Sequence, residues 1–242
     1  MSIKRVFKSV ETRSKNSIRS LLAPRAVRAL GAASRAVRTL EEAVDLANGF
    51  NYYHIRLDPS QISGEILALL KLLEHTPPRT VLEIGTYRGG TFFLFSRVAA
   101  PDALLISLDL PPDGSGLGYP PWRASLFRSF AREQQKIELV LANSHEEGTV
   151  KQIEKLLGNR PLDFLFIDAD HTYEGVKHDY ELYAPLVRRG GLIGFHDIVP
   201  HEVAPRGVPE FWQELKNGRR ITEYVASRQQ SGFGIGVVHV GE

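Results

Sequence analysis

Two short stretches concentrate the side chains that could do chemistry. "FLFIDADH" (164–171) ends an apolar run with Asp168, Asp170 and His171, and "GLIGFHD" (191–197) ends another with His196 and Asp197. Adjacent parallel strands lie ~4.8 Å apart, so side chains at neighbouring strand ends can converge on one divalent cation. Oxygen donors suit Mg²⁺, while an imidazole in the set tilts the preference toward Mn²⁺ or Fe²⁺. Asp168, His196 and Asp197 are therefore candidate metal ligands, with Mg²⁺ the first choice. The competing reading is plain helix capping, for which Asp170 before "HTYEG" is well placed.

Three further strand ends carry polar groups. "VLEIGTYRGGT" puts Glu83 at the end of a strand and Gly85, Thr86, Gly89 and Gly90 in the turn behind it, but Tyr87 stands where a dinucleotide fingerprint needs its second glycine. A pyrophosphate would be repelled by Glu83, whereas an ammonium would be attracted, which points to S-adenosylmethionine; a tight strand-to-helix turn explains the glycines equally well. Asp109, twenty residues past Gly89, can accept both hydrogen bonds of a ribose diol, or else cap a turn before "PP". Asn143 and Ser144 suit an adenine edge, with an Asx-turn before the next helix as the alternative.

These positions need a frame that brings strand ends together. "TVLEIG", "ALLISLDL", "IELVLAN", "LDFLFID" and "GLIGFHD" read as strands buried on both faces. They alternate with "GGTFFLFSRVAA", "WRASLFRSFAREQQ", "HEEGTVKQIEKLLGN" and "TYEGVKHDYELYAPLVRRG", each long enough for a crossover helix. That alternation predicts an α/β, doubly wound, mostly parallel sheet of seven strands, Rossmann-like, with ligands at the carboxyl ends of the strands. "ITEYVA" and "FGIGVVHV", with no helix between them, are expected to form an antiparallel pair at its end. One amphipathic helix is expected from about residue 26, and another over "SGEILALLKLLEH" with Ser63 as its N-cap.

The order "VLEIGTYRGG", "ISLDL", "LANSH", "FLFIDADH", "GGLIGFHD" resembles the class I S-adenosylmethionine-dependent methyltransferases. Within them it is most similar to the metal-dependent O-methyltransferases that include macrolide-sugar methyltransferases and the cephalosporin-hydroxylase group. The likeness covers about residues 60–240. It implies S-adenosylmethionine bound by Glu83, Gly85, Thr86, Gly89, Asp109, Asn143 and Ser144. It also implies a divalent cation at Asp168 and Asp197, with His196 direct, through water or in support, and His171 as the general base. Relatives often carry Asp where Asn143 stands. The expected activity is methylation of a hydroxyl on a sugar, glycosylated natural product or other vicinal diol. An oxidative enzyme of the cephalosporin-hydroxylase kind and a non-catalytic S-adenosylmethionine-binding subunit are the rival readings.

Two domains are expected: a basic helical arm over residues 1–59 and the methyltransferase domain over 60–242. The chain has no cysteine, which excludes disulfides and thiolate metal sites. Residues 1–40 hold ten Lys and Arg against Glu11 alone, leaving residues 41–242 with a net charge of −7 out of the total of +2. Arginines interrupt every apolar stretch of the arm, so it is not a secretory signal. An organellar transit peptide, a helix on anionic lipid, and an arm used in packing or homo-oligomerisation all fit, whereas nucleic acid does not, because the rest of the chain is acidic. The expected setting is cytoplasmic or peripheral to a membrane. The expected partner is a small-molecule or glycan acceptor. "PPDGSGLGYPPW" (111–122) is a candidate lid.

Overall fold

The computed structural model describes residues 3–112, 118–202 and 207–241, with side chains described from Asn16 onward. The middle of the candidate lid, 113–117, falls outside the described residues.

Helix α1 (Ile3–Ser34) and helix α2 (Leu40–Gly49) replace the single helix expected from residue 26. The break has a local cause. Thr39 accepts the Glu42 amide at 3.2 Å while the Glu42 carboxylate accepts the Thr39 amide at 3.3 Å, a reciprocal cap that starts a new helix. A two-residue hairpin, β1 (Asn51–Tyr52) with β2 (Ile55–Arg56), follows and was not anticipated. In α3 (Ser63–Glu74), Ser63 is not the cap but the first helical residue, with Ile62 before it, and its hydroxyl accepts from Asn48 instead.

The remaining elements alternate as expected: β3 (Thr80–Ile84), α4 (Gly90–Val98), β4 (Leu104–Asp109), α5 (Arg123–Arg128), β5 (Lys136–Leu141), α6 (Glu147–Leu157), β6 (Leu162–Ile167), α7 (Tyr173–Tyr183), β7 (Val187–His196), α8 (Val208–Leu215), β8 (Ile221–Tyr224) and β9 (Ile235–His239). The seven-stranded sheet has the order β5-β4-β3-β6-β7-β9-β8, parallel up to β7 and antiparallel across β7-β9-β8. Strand order reverses between β3 and β6, so their carboxyl ends form the crevice where such sheets bind ligands.

Side-chain alternation divides the core. Val81, Leu105, Phe164 and Phe166 face α2, α3 and α4, and Ala26, Leu30, Val44, Phe50 and Ile55 join that same apolar cluster. Leu82, Ile106, Leu165, Ile167, Ile193 and Phe195 face α6, α7 and α8 on the other side. Three expectations need correction. Strand β5 is mostly part-exposed rather than buried on both faces, because it is the sheet edge. Helix α5 stops at Arg128, well short of the expected span. Strand β7 begins at Val187 rather than at Gly190: Leu162 pairs with Val187 but Phe164 with Leu192, and Gly190 at φ 72° helps the surplus residues bulge out.

One buried acid ties distant segments together. Glu65 on α3 is 2% exposed, and its carboxyl accepts the Ala226 and Gly234 amides, both at 2.9 Å, and the Gln230 amide group at 2.8 Å. Glu65→Ala should strand these donors and cost about 2–5 kcal/mol in urea unfolding, while the exposed Glu74→Ala should stay within about 0.5 kcal/mol of wild type.

Candidate active site

A cavity of about 840 Å³ opens over the carboxyl ends of β3, β4, β5, β6 and β7. The β3 end makes its floor. Gly85 has φ 91°, and a Cβ there would lie 2.0 Å from the Asp168 carbonyl oxygen, so only glycine lets this turn pass the end of β6. Tyr87 is also left-handed, φ 47°, and its amide donates to Asp109 at 2.6 Å. The Leu110 amide donates to the other Asp109 oxygen at 2.7 Å, which fixes the carboxylate at the cavity wall. Burial pushes the Asp109 carboxyl up and the two amide bonds work against that rise.

Two residues from the same stretch lie elsewhere than expected. Glu83 is 1% exposed beneath the floor and does not line the cavity. Burial raises its carboxyl well above the ordinary range. Gly89 caps α4 at φ 83°, where a Cβ would strike the Phe127 ring at 2.3 Å; its place is a packing requirement and it too is outside the lining. Gly85, Thr86, Asp109, Asn143 and Ser144 do line it. Thr86 shares a hydrogen bond with Ser107 at 2.7 Å. Asn143 forms the Asx-turn, its Oδ1 accepting the His145 amide at 3.1 Å.

The deepest wall joins β6 to β7. Ile167 pairs with Phe195, which sets Asp168 beside His196 with Asp197 next. His196 Nδ1 lies 3.1 Å from Asp168 Oδ1 and 3.5 Å from Asp197 Oδ2, and His171 Nε2 lies 3.0 Å from Asp197 Oδ2 and 3.5 Å from Asp168 Oδ1. Burial would raise the Asp168 carboxyl, but His196 and His171 outweigh it and hold it well below the usual range. Asp197 adopts φ 61°, a strained conformation for a non-glycine residue, and accepts the Phe233 amide at 3.2 Å. Donor atoms of Asp168, His171 and Asp197 all fall within 4.8 Å of one another. Ligands ~2.1 Å from a cation sit ~3 Å apart when adjacent in an octahedron, so the measured separations suit one divalent ion. The set differs from the expected one in that His171 also offers a donor atom to the two carboxylates, while His196 is 5% exposed. Asp170 is not the cap of α7: Thr172 is, accepting the Gly175 amide, and Asp170 accepts the Thr172 amide just ahead.

Some residues at this wall carried no motif in the sequence. Gln61, 8% exposed, donates from Nε2 to Asp168 Oδ2 at 3.0 Å, and Thr91 donates to Gln61 Oε1 at 2.7 Å, which fixes the amide's direction. Asp58, Pro59, Ser60, His201 and Phe233 complete the lining. Behind it, Asp179 on α7 is fully buried with His145 Nε2 at 3.4 Å, and the Tyr183 hydroxyl donates to the Ser144 carbonyl at 2.8 Å. Helix α7 thus holds the loop after β5 from below.

The chain is similar to methyltransferases in sequence and in fold. A family model described as "Methyltransferase domain" matches residues 82–198. "Probable caffeoyl-CoA O-methyltransferase 3" of Dictyostelium discoideum is 30% identical over 179 residues, covering 67% of this chain and 64% of the relative. "Catechol O-methyltransferase B" of Danio rerio is 27% identical over 144 residues, 59% of this chain and 49% of that one. The chain therefore spans 64% and 49% of these two relatives' lengths. Among solved structures, the O-methyltransferase TomG of Streptomyces achromogenes, in complex with SAM, superposes with TM-score 0.57 at 16% identity over 85% of this chain and 91% of that one. An O-methyltransferase of Bacillus cereus, in complex with SAH, gives 0.53 at 22% over 83% and 90%. At these identities the likeness establishes the fold.

Asp179 supplies a test of the wall's cost. Burial pushes its carboxyl up to about 6, so its contribution to stability is present below about pH 4 and lost by about pH 6, where the folded protein must hold a buried charge. Between pH 4 and pH 7, urea unfolding of Asp179→Asn should gain on wild type by something on the order of 3 kcal/mol. Parallel curves for the two proteins would show that the acid is not perturbed.

Proposed function

We propose that the chain is a class I S-adenosylmethionine-dependent methyltransferase that moves a methyl group to a hydroxyl oxygen of a small acceptor with the help of a divalent cation, a reading supported by its similarity to a methyltransferase-domain model and to a probable caffeoyl-CoA O-methyltransferase. One observation carries the reading: a part-buried and a buried carboxylate and two imidazoles converge in a cavity whose lining also includes Asp109 and the Gly85 turn.

The residues divide the work. Asp109, fixed by two backbone amides, offers its outer lone pairs to a ribose diol, and Thr86, Asn143 and Ser144 border the same half of the cavity. Asp168 and Asp197 would hold the cation, with His196 Nδ1 as a third donor and Gln61 keeping Asp168 turned toward it. A divalent ion held there would supply Lewis acidity that lowers the pKa of an acceptor hydroxyl. His171, the more exposed of the two imidazoles, takes that proton at Nε2, and the charge the ring gains is met by Asp197 Oδ2 at 3.0 Å. The acceptor oxygen forms its bond to the methyl carbon as the carbon–sulfur bond breaks, leaving a thioether. Imidazole in the donor set favours Mn²⁺ or Fe²⁺ beside Mg²⁺. Vicinal oxygens are the acceptor's defining feature. The names of the caffeoyl-CoA and catechol relatives support a catechol-like compound, and the resemblance to sugar-modifying enzymes supports a glycoside.

A second reading has its own support, because His171 has a donor atom within 4.8 Å of those of Asp168 and Asp197: it is a ligand rather than the base. A single set of measurements separates the two. Chelation should abolish methyl transfer across a panel of catechols and glycosides, and Mg²⁺ or Mn²⁺ should restore it. His171→Ala should lower turnover roughly 10²–10⁴-fold with Mn²⁺ affinity retained if it is the base, and lose Mn²⁺ affinity if it is a ligand. Full activity after chelation would rule out the metal-assisted reaction.

A further inference from the structure

The outer face of α1 is a surface that the methyl-transfer reading leaves unused. On its inner side Ala23, Ala26 and Leu30 are buried against the core. The outer side carries Ile18, 56% exposed, and Leu21, 77% exposed, followed on the same stripe by exposed Arg25, Arg28 and Arg35. Ile18 and Leu21 are one turn apart and so form a joined apolar patch rather than two scattered residues.

The part-exposed Arg19 stands ~100° around the helix from Ile18. Apolar residues flanked by basic ones on one exposed face suit a helix that lies in the plane of a lipid–water interface, and no helix among the described residues is long and apolar enough to cross a membrane. Charge identifies the lipid. Ten cationic residues against one acid in residues 1–40 complement an anionic surface, each near-surface Lys or Arg contributing ~1 kcal/mol there.

We infer that α1 docks the protein on anionic membranes, its apolar patch reaching the acyl boundary and its basic residues meeting lipid phosphates. The inference stands independently of the reaction in the cavity, since none of these side chains lines it.

The test is flotation of the full chain with phosphatidylcholine vesicles, with and without phosphatidylserine. Binding should appear only with phosphatidylserine and fall as salt rises. The double variant Ile18→Asp, Leu21→Asp should weaken it by at least ~30-fold through the lost apolar insertion. Arg25→Glu with Arg28→Glu should weaken it by at least ~10-fold. Both variants should keep wild-type affinity for S-adenosylmethionine in calorimetry. Equal recovery on neutral vesicles, or none on either, overturns the inference. So does a dimer in light scattering that the Ile18→Asp, Leu21→Asp variant dissolves while vesicles stay unbound, because the stripe would then belong to a second copy of the chain.

Discussion

Two carboxylates, Asp168 and Asp197, end adjacent strands with their side chains mostly shielded from water. Like charges held this close repel strongly where the dielectric is low, so each needs compensation from elsewhere. The compensating groups come from four directions: His196 from β7 itself, His171 from the turn before α7, Gln61 from the segment before α3, and the Phe233 amide from the loop before β9. The strained backbone at Asp197 is part of the same requirement, since it turns the carboxylate to face the cavity while its backbone leaves the sheet. Much of the tertiary architecture can be read as the means of bringing these four groups to one point. Thr91 aims Gln61, and Glu65 pins the loop that delivers Phe233.

The cavity also concentrates choices that cost stability. Glu83 and Asp179 are acids buried without a basic residue in salt-bridge contact beyond the part-exposed His145, and both are pushed toward their neutral forms. Neither would survive in a core selected for packing alone, and both lie directly behind residues that line the cavity. Local rules broken next to a site, and kept elsewhere, are the usual mark of function taking precedence over stability.

The parts legible in the sequence were those with local causes. Strand ends, the glycine turn and the His and Asp residues at 168, 171, 196 and 197 follow from short apolar runs and the residues that terminate them. What escaped depends on approach between distant segments. Gln61 is 107 positions from the carboxylate it orients, and Glu65 is 161 from the nearest amide it holds, so no window of the chain displays either role. Glu83 shows in the sequence only as part of a motif, whereas the side of the strand it faces, and hence its burial beneath the cavity, is set by pairing on both flanks. The break between α1 and α2 was local and still missed, since a Thr-x-x-Glu cap is easily passed over when apolar residues keep their spacing on both sides of it.

The strand order holds a consequence for how the molecule comes into being. Strand β9 sits between β7 and β8, so a chain leaving the ribosome has β7 complete, with its outer edge open, for the forty-odd residues it takes to produce the strand that covers it. During that interval β8 has no neighbour and the Phe233 amide has not reached Asp197. Most of the donor atoms are thus in place before the loop that steadies them, and an unpaired strand edge is the vulnerable feature of the nascent molecule.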